Sequence, residues 1–231
     1  KTYKLAIKYY DDESNPDLAV KHVKRLVTKD KVSFLLGPYS SAITEKVAAI
    51  AERLRIPLVQ GNGAAEVIFS KGYKYTFGVL SPANQYLTEA VRMVSEIAVK
   101  NGKNPASVKI AIAVQNDLFS LNMRDGVIGE ARRNGMPIVI DERLPRDYKD
   151  MTFVLEKVKK EQPDILIISG HEGGATLATR QIFEQRVNVP MVAMTHCEGA
   201  DIDGKYGLHA ENTVCATQWA AELNYQGKWF D

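Results

Sequence analysis

Residues 33–59 read SFLLGPYSSAITEKVAAIAERLRIPLV. Residues 33–36 have the makings of a short apolar strand. Residues 42–54 repeat their apolar positions at helical spacing, and 56–59 (IPLV) form a second short strand. Strand, loop, helix, strand is the repeating unit of a parallel sheet covered by helices. The loop between the first strand and the helix is Gly37-Pro38-Tyr39-Ser40-Ser41. It has no lysine and no phosphate-loop glycine spacing. Ser40 or Ser41 is placed to cap the helix. The unpaired N–H groups of the first turn, the positive end of the helix dipole and two hydroxyls together suit a carboxylate. A plain cap with no ligand needs the same residues, so the loop alone leaves both readings open.

The same rhythm extends in both directions. Residues 4–9 (KLAIKY) read as a strand. Asn15 and Pro16 open a helix with Leu18, Ala19, Val23, Leu26 and Val27 on one face. Residues 73–78 read as a strand and 82–100 as a long helix. After a polar joint at 101–107 (NGKNPAS) the pattern restarts. Strands are expected at 109–114, 137–142, 165–169, 189–194 and 212–217. Helices are expected at 120–135, 148–160 and 174–185, the second with Phe153, Leu155 and Val158 facing inward. The fold class is therefore α/β, with parallel sheets flanked by helices in two similar halves. Open parallel sheets bind ligands at the carboxyl ends of their strands, which directs attention to the loops there.

Composition narrows the function classes. The chain has 231 residues, 45% hydrophobic and 25% charged, with a net charge of +2. That balance does not suggest a nucleic-acid surface, and no apolar run reaches the roughly 18 residues of a membrane span. Cys197 and Cys215 are the only cysteines. They form no CxxC, and buried free thiols are the reading preferred over a bridge.

The remaining loops carry the candidate residues. Residues 60–66 (QGNGAAE) are small and let a ligand approach backbone. Phe119 stands beside a helix start, as a ligand wall or a hydrophobic staple. His171 and Glu172 follow one strand; His196, Cys197 and Glu198 follow another. Their spacing matches no zinc pattern, so no metal site is expected. A carboxylate at such a mouth can hold an ammonium group. Adjacent His196 and Cys197 are poorly placed as base and nucleophile, and there is no GxSxG, so no enzyme is expected.

The series FLLGPYSS, RIPLVQGNGA, YTFGVLSPANQY, KIAIAVQNDLFS and PDILIISGHE, in this order, resembles the type I periplasmic-binding-protein family. The resemblance is to branched-chain amino-acid-type substrate-binding proteins of ABC transporters. It implies two α/β lobes joined by a hinge: lobe 1 from 1–79 plus 218–231, incomplete, and lobe 2 from 81–217. It implies a small-molecule ligand held between the lobes, such as an amino acid or another small carboxylate, and a membrane permease as partner. A periplasmic or extracellular location and no cofactor are also implied. By the same resemblance Ser40 or Ser41, Gly63 and Ala64 hold the carboxylate. Phe119 lines the lobe 2 side, His171 and Glu172 form a further wall, and Glu198 takes the ammonium. The hydroxyl usual at the place of Ala64 or Ala65 is missing, which keeps an aromatic acid open as ligand. A sensor ectodomain of the same fold is the rival reading. Family members normally begin with a further strand–loop–helix unit and continue past residue 231. An exposed apolar sheet surface, and dimerisation or strand exchange to cover it, are expected if the chain is truly truncated.

Overall fold

A computed structural model of the chain describes residues 4–200 and 202–218. Two compact units emerge: residues 4–84 with 117–122 in the first, the other described residues in the second.

In the first unit, α1 (Pro16–Thr28) starts where Asn15 predicts it. The Asn15 side chain accepts from the N–H groups of Asp17 and Leu18, and Pro16 needs no donor partner there. Then come β1 (Leu35–Leu36), α2 (Ser41–Leu54), β2 (Leu58–Gln60), α3 (Glu66–Phe69) and β3 (Thr76–Gly78). The sheet is parallel in the order β1-β2-β3. Leu35 and Leu58 turn to one face and form a core with Ala19, Val23, Val47 and Ala51 of α1 and α2. On the other face Leu36, Val59 and Phe77 align across the three strands, and Leu36 and Phe77 are exposed.

The strand expected at 4–9 does not form. Leu5, Ile7 and Tyr9 alternate correctly but are exposed. An alternating segment becomes a strand only when a neighbour completes its hydrogen bonds, and no described strand pairs with this one.

The second unit runs α4 (Thr88–Lys100), β4 (Ile110–Gln115), α5 (Leu118–Arg133), β5 (Ile138–Leu144), α6 (Thr152–Glu161), β6 (Ile165–Ser169), α7 (His171–Glu184), β7 (Met191–Thr195), α8 (Cys197–Ala200), α9 (Ile202–Tyr206) and β8 (Thr213–Ala216). The first residues of α5, to Asn122, group with the first unit. The sheet is parallel throughout, in the order β5-β4-β6-β7-β8. β6 and β7 are buried along their whole length and β4 up to Val114, which explains their uninterrupted apolar runs. Strand order reverses between β4 and β6, so the ligand crevice of such a sheet is expected beside the loops that follow these two strands.

Three expectations need correction. Phe153 is exposed, and Val154 joins Leu155 and Val158 inside, so α6 turns a neighbouring stripe to the sheet. α7 begins at His171, three residues ahead of the start expected at 174. Gly174 lies under the hydroxyl of Tyr148, where a larger side chain would collide. Cys197 and Cys215 form a disulfide and are not free thiols. β7 and β8 are parallel neighbours with Met194 beside Cys215, so the residue opening α8 reaches β8 with Cα atoms 5.7 Å apart, within bridging range. Of the tail expected to return to lobe 1, 218–231, all but Gln218 lies outside the described residues. No described helix is long and apolar enough to cross a membrane.

Candidate functional site

The mouth of α2 is built by two loops tied together from beneath. Ser40 is the N-cap: its hydroxyl accepts from the Ile43 N–H at 3.3 Å. Its φ of 71° turns the chain sharply into the helix. Ser41 is 2% exposed, and its hydroxyl accepts from the Ala65 N–H at 3.1 Å, joining the 37–41 loop to the 60–65 loop. Gln60, fully buried at the end of β2, completes the tie. Its amide donates to the Thr44 hydroxyl at 2.5 Å and to the Pro38 carbonyl at 3.1 Å, and its oxygen accepts from the Asn62 N–H at 2.6 Å. A Cβ on Gly37 would strike the Gln60 amide, and one on Gly63 the Thr44 side chain. These glycines are required by close approach, not by backbone conformation.

Burial sorts the residues named from the sequence. Ser40 is part-exposed, whereas Gly63 and Ala64 are buried and Gly61 and Asn62 front the solvent. The Ala64 carbonyl accepts from the Ala83 N–H at 2.7 Å. Phe119 is buried inside the first turn of α5, where the Asp117 carboxylate accepts from the N–H groups of Phe119 and Ser120. Residues 117–122 group with the first unit. Asn122 on the next turn accepts from the Glu66 N–H.

In the second unit, the carboxyl ends of β6 and β7 converge. The Ser169 and Thr195 hydroxyls hydrogen-bond at 3.1 Å, both buried. Beyond them the rings of His171 and His196 meet, centroids 5.1 Å apart and tilted by 49°. Both histidines hold positive φ, 54° and 64°, a region uncommon for non-glycine residues that histidine enters more readily than most. Tyr148, from the β5–α6 loop, lays its hydroxyl against Gly170 and Gly174 at the start of α7. Glu172 and Glu198 stand exposed in the first turns of α7 and α8. Among the described residues no group of three or more His, Cys, Asp or Glu is placed to hold a metal. Cys197 is held in the disulfide, which removes it as a thiol nucleophile.

The sequence model of the family described as periplasmic binding protein matches residues 1–229. The chain belongs to that family. Members of this family are solute-binding proteins, not enzymes. A Leu/Ile/Val-binding protein homolog from Brucella abortus is 22% identical over 174 residues, 75% of this chain and 43% of that protein. The substrate binding protein LivJ from Streptococcus pneumoniae, solved with isoleucine, superposes with a TM-score of 0.76 at 20% identity. That match covers 96% of this chain and 62% of LivJ. A solute binding protein of an ABC transporter from R. palustris, solved with 4-hydroxybenzoate, gives a TM-score of 0.68 at 20% identity, over 81% of this chain and 50% of that one. This periplasmic-binding-protein chain thus spans about half the length of relatives that carry either an amino acid or an aromatic acid.

Sequence reasoning named the serines and the His-bearing loops, but not Thr44, Tyr148, Ser169, Thr195 or the tying role of Gln60. The available signal was positional. Gln60, Ser169 and Thr195 are each the polar residue that closes an otherwise apolar strand, and a buried polar group must have partners.

Proposed function

We propose that this periplasmic-binding-protein chain captures a small carboxylate-bearing ligand, an amino acid in the first instance, for delivery to the permease of an ABC transporter. The observation that carries the reading is the tied pair of loops at the mouth of α2. There Ser40 caps the helix, and Ser41 and Gln60 fix the 60–65 loop beside it. Fixed donors at a helix start suit a carboxylate that must be held and then released. In this reading Ser40 or Ser41, with Gly63 and Ala64, is assigned the ligand's carboxylate, His171 and Glu172 a further wall, and Glu198 an ammonium. Phe119 adds an apolar wall in this reading. The Cys197–Cys215 bridge supports an oxidising compartment, periplasmic or extracellular. A second copy of the chain is the partner assigned to the apolar sheet face of the first unit.

A second reading, an aromatic acid, is favoured by Ala64 and Ala65, both buried where a further hydroxyl would serve an amino acid. A thermal-shift screen separates the two, because ligand at 100 times its Kd adds about 2.7 kcal/mol of stability. With an amino acid, Glu198→Ala lowers affinity. With a simple acid it leaves affinity unchanged, and Glu198 then leaves the site. No shift with any carboxylate overturns the proposal.

A further inference from the structure

Three asparagine–glycine pairs occur in the chain: Asn62-Gly63, Asn101-Gly102 and Asn134-Gly135. In such a pair the glycine carries no Cβ to keep its backbone nitrogen away from the asparagine side-chain carbonyl. The fold treats the three differently. Asn101-Gly102 follows α4, where the Gly102 N–H donates to the Val99 carbonyl at 2.9 Å. Asn134-Gly135 follows α5, where the Gly135 N–H donates to the Arg132 carbonyl at 3.1 Å. The Asn134 amide is itself held there by the Glu130 carbonyl at 2.9 Å. In both turns the glycine nitrogen is engaged. Asn62-Gly63 lies in neither helix nor strand, and Asn62 is exposed. Among the described residues no acceptor takes the Gly63 N–H.

We infer that Asn62 is a site of spontaneous deamidation, and that the change disables the loop to which the reading above assigns the ligand's carboxylate. The Gly63 nitrogen gives its proton to hydroxide and bonds to the carbonyl carbon of the Asn62 side chain. The side-chain nitrogen leaves as ammonia, and a cyclic succinimide remains. Water then adds to one of the two ring carbonyls and breaks its bond to nitrogen, leaving aspartate or isoaspartate at position 62. The new charge sits on a loop tied to the mouth of α2. The Asn62 N–H donates to the Gln60 side-chain oxygen, and the Gln60 amide donates to the Thr44 hydroxyl and the Pro38 carbonyl. From there the charge competes with the ligand's carboxylate for the positive end of the helix. Isoaspartate also adds a methylene to the backbone just before Gly63, where a Cβ would already strike the Thr44 side chain.

The test incubates the 231-residue chain at mildly alkaline pH and follows all three pairs by peptide mass mapping. Asn62 is expected to convert well ahead of Asn101 and Asn134. Conversion of either of those as fast as Asn62, or no conversion at Asn62, overturns the inference. Isoleucine and 4-hydroxybenzoate are then titrated calorimetrically into fresh and incubated chain. Whichever acid the fresh chain binds is expected to bind the converted chain, and a fresh Asn62→Asp variant, at least about threefold more weakly, with a larger gap at low salt. Asn62→Gln cannot close the same ring and should show one affinity before and after incubation. An equal decline in Asn62→Gln, or equal binding by fresh and converted chain, overturns the disabling step while the carboxylate reading stands. If the fresh chain binds neither acid, the carboxylate reading and the disabling step fall together, and the mass map alone decides whether Asn62 is modified.

Discussion

At the end of β2 one buried amide, that of Gln60, serves Thr44, Pro38 and Asn62 at once. Gln60→Leu removes these three hydrogen bonds, while the Thr44 hydroxyl keeps the Ser40 carbonyl at 2.7 Å and Asn62 fronts the solvent. The expected loss is about 1 kcal/mol for each hydrogen bond removed, read as a lower urea midpoint together with weaker ligand binding. Ser41→Ala, which frees only the Ala65 N–H, is expected to cost about 1 kcal/mol. The Ser40 cap was legible because capping is a local rule, whereas the Ser41 tie to Ala65, 24 positions on, is not local. Gln60 was not legible, because its partners lie 16 and 22 positions away and no periodicity reports them. Glu130 is a third case. It is 5% exposed on α5 and accepts from Arg92 and Arg133. The Arg92 hydrogen bond, then that of Arg133, holds its carboxyl below the usual carboxylate range. Its stabilising effect is therefore full above the unfolded value of about 4.3 and is withdrawn as pH falls through the lowered folded value. Glu130→Gln should be clearly less stable than the parent at pH 7, with the gap closing at pH 3. An equal gap at both values would remove the ion pairs from the stability of this helix.

Between elements, the contacts that matter join loops to strand ends. The Cys197–Cys215 bridge closes a separation of 18 residues and fastens α8 to β8. Replacing both cysteines by serine, or reducing them, is expected to cost about 3 kcal/mol and to loosen the segment that carries Glu198. Unfolding midpoints with and without reductant measure this. The start of α7 gives a steric test. Gly170 has an extended φ, −173°, which any residue adopts, so its need is for space beneath the Tyr148 hydroxyl. Gly170→Ala should destabilise, and Tyr148→Phe in the same chain should restore most of the loss by removing the atom that collides. Lack of rescue would mean that the ring and not the hydroxyl sets the spacing. The type and order of nearly every long element were readable from periodicity, since β6 is apolar up to its closing Ser169 and α1 carries its own cap. The boundaries of α7 and the short α3, α8 and α9 were not, because glycine and short-helix content is decided by tertiary approach.

For the molecule as a whole, each unit's sheet is parallel, but the two differ in what covers them. In the second unit β4, β6 and β7 are buried on both faces. In the first, Phe34, Leu36, Phe77 and Val79 are each more than half exposed among the described residues. Beyond them Leu5, Ile7 and Tyr9 alternate along a segment with the pattern of a strand and no described partner. Large contiguous exposed apolar patches mark interaction surfaces, and an unpaired edge with alternating apolar residues is a template for pairing with another chain. The 231-residue polypeptide is therefore expected to self-associate as its concentration rises, measured by light scattering behind a sizing column. Leu36→Lys with Phe77→Lys should shift it toward monomer by placing charge on the exposed face. Ile7→Lys should do the same only if pairing through residues 4–9 contributes. A chain that stays monomeric across the concentration range and is unmoved by any of these changes would show that water covers the face at little cost. The exposed row would then have to be a surface that a different partner fills.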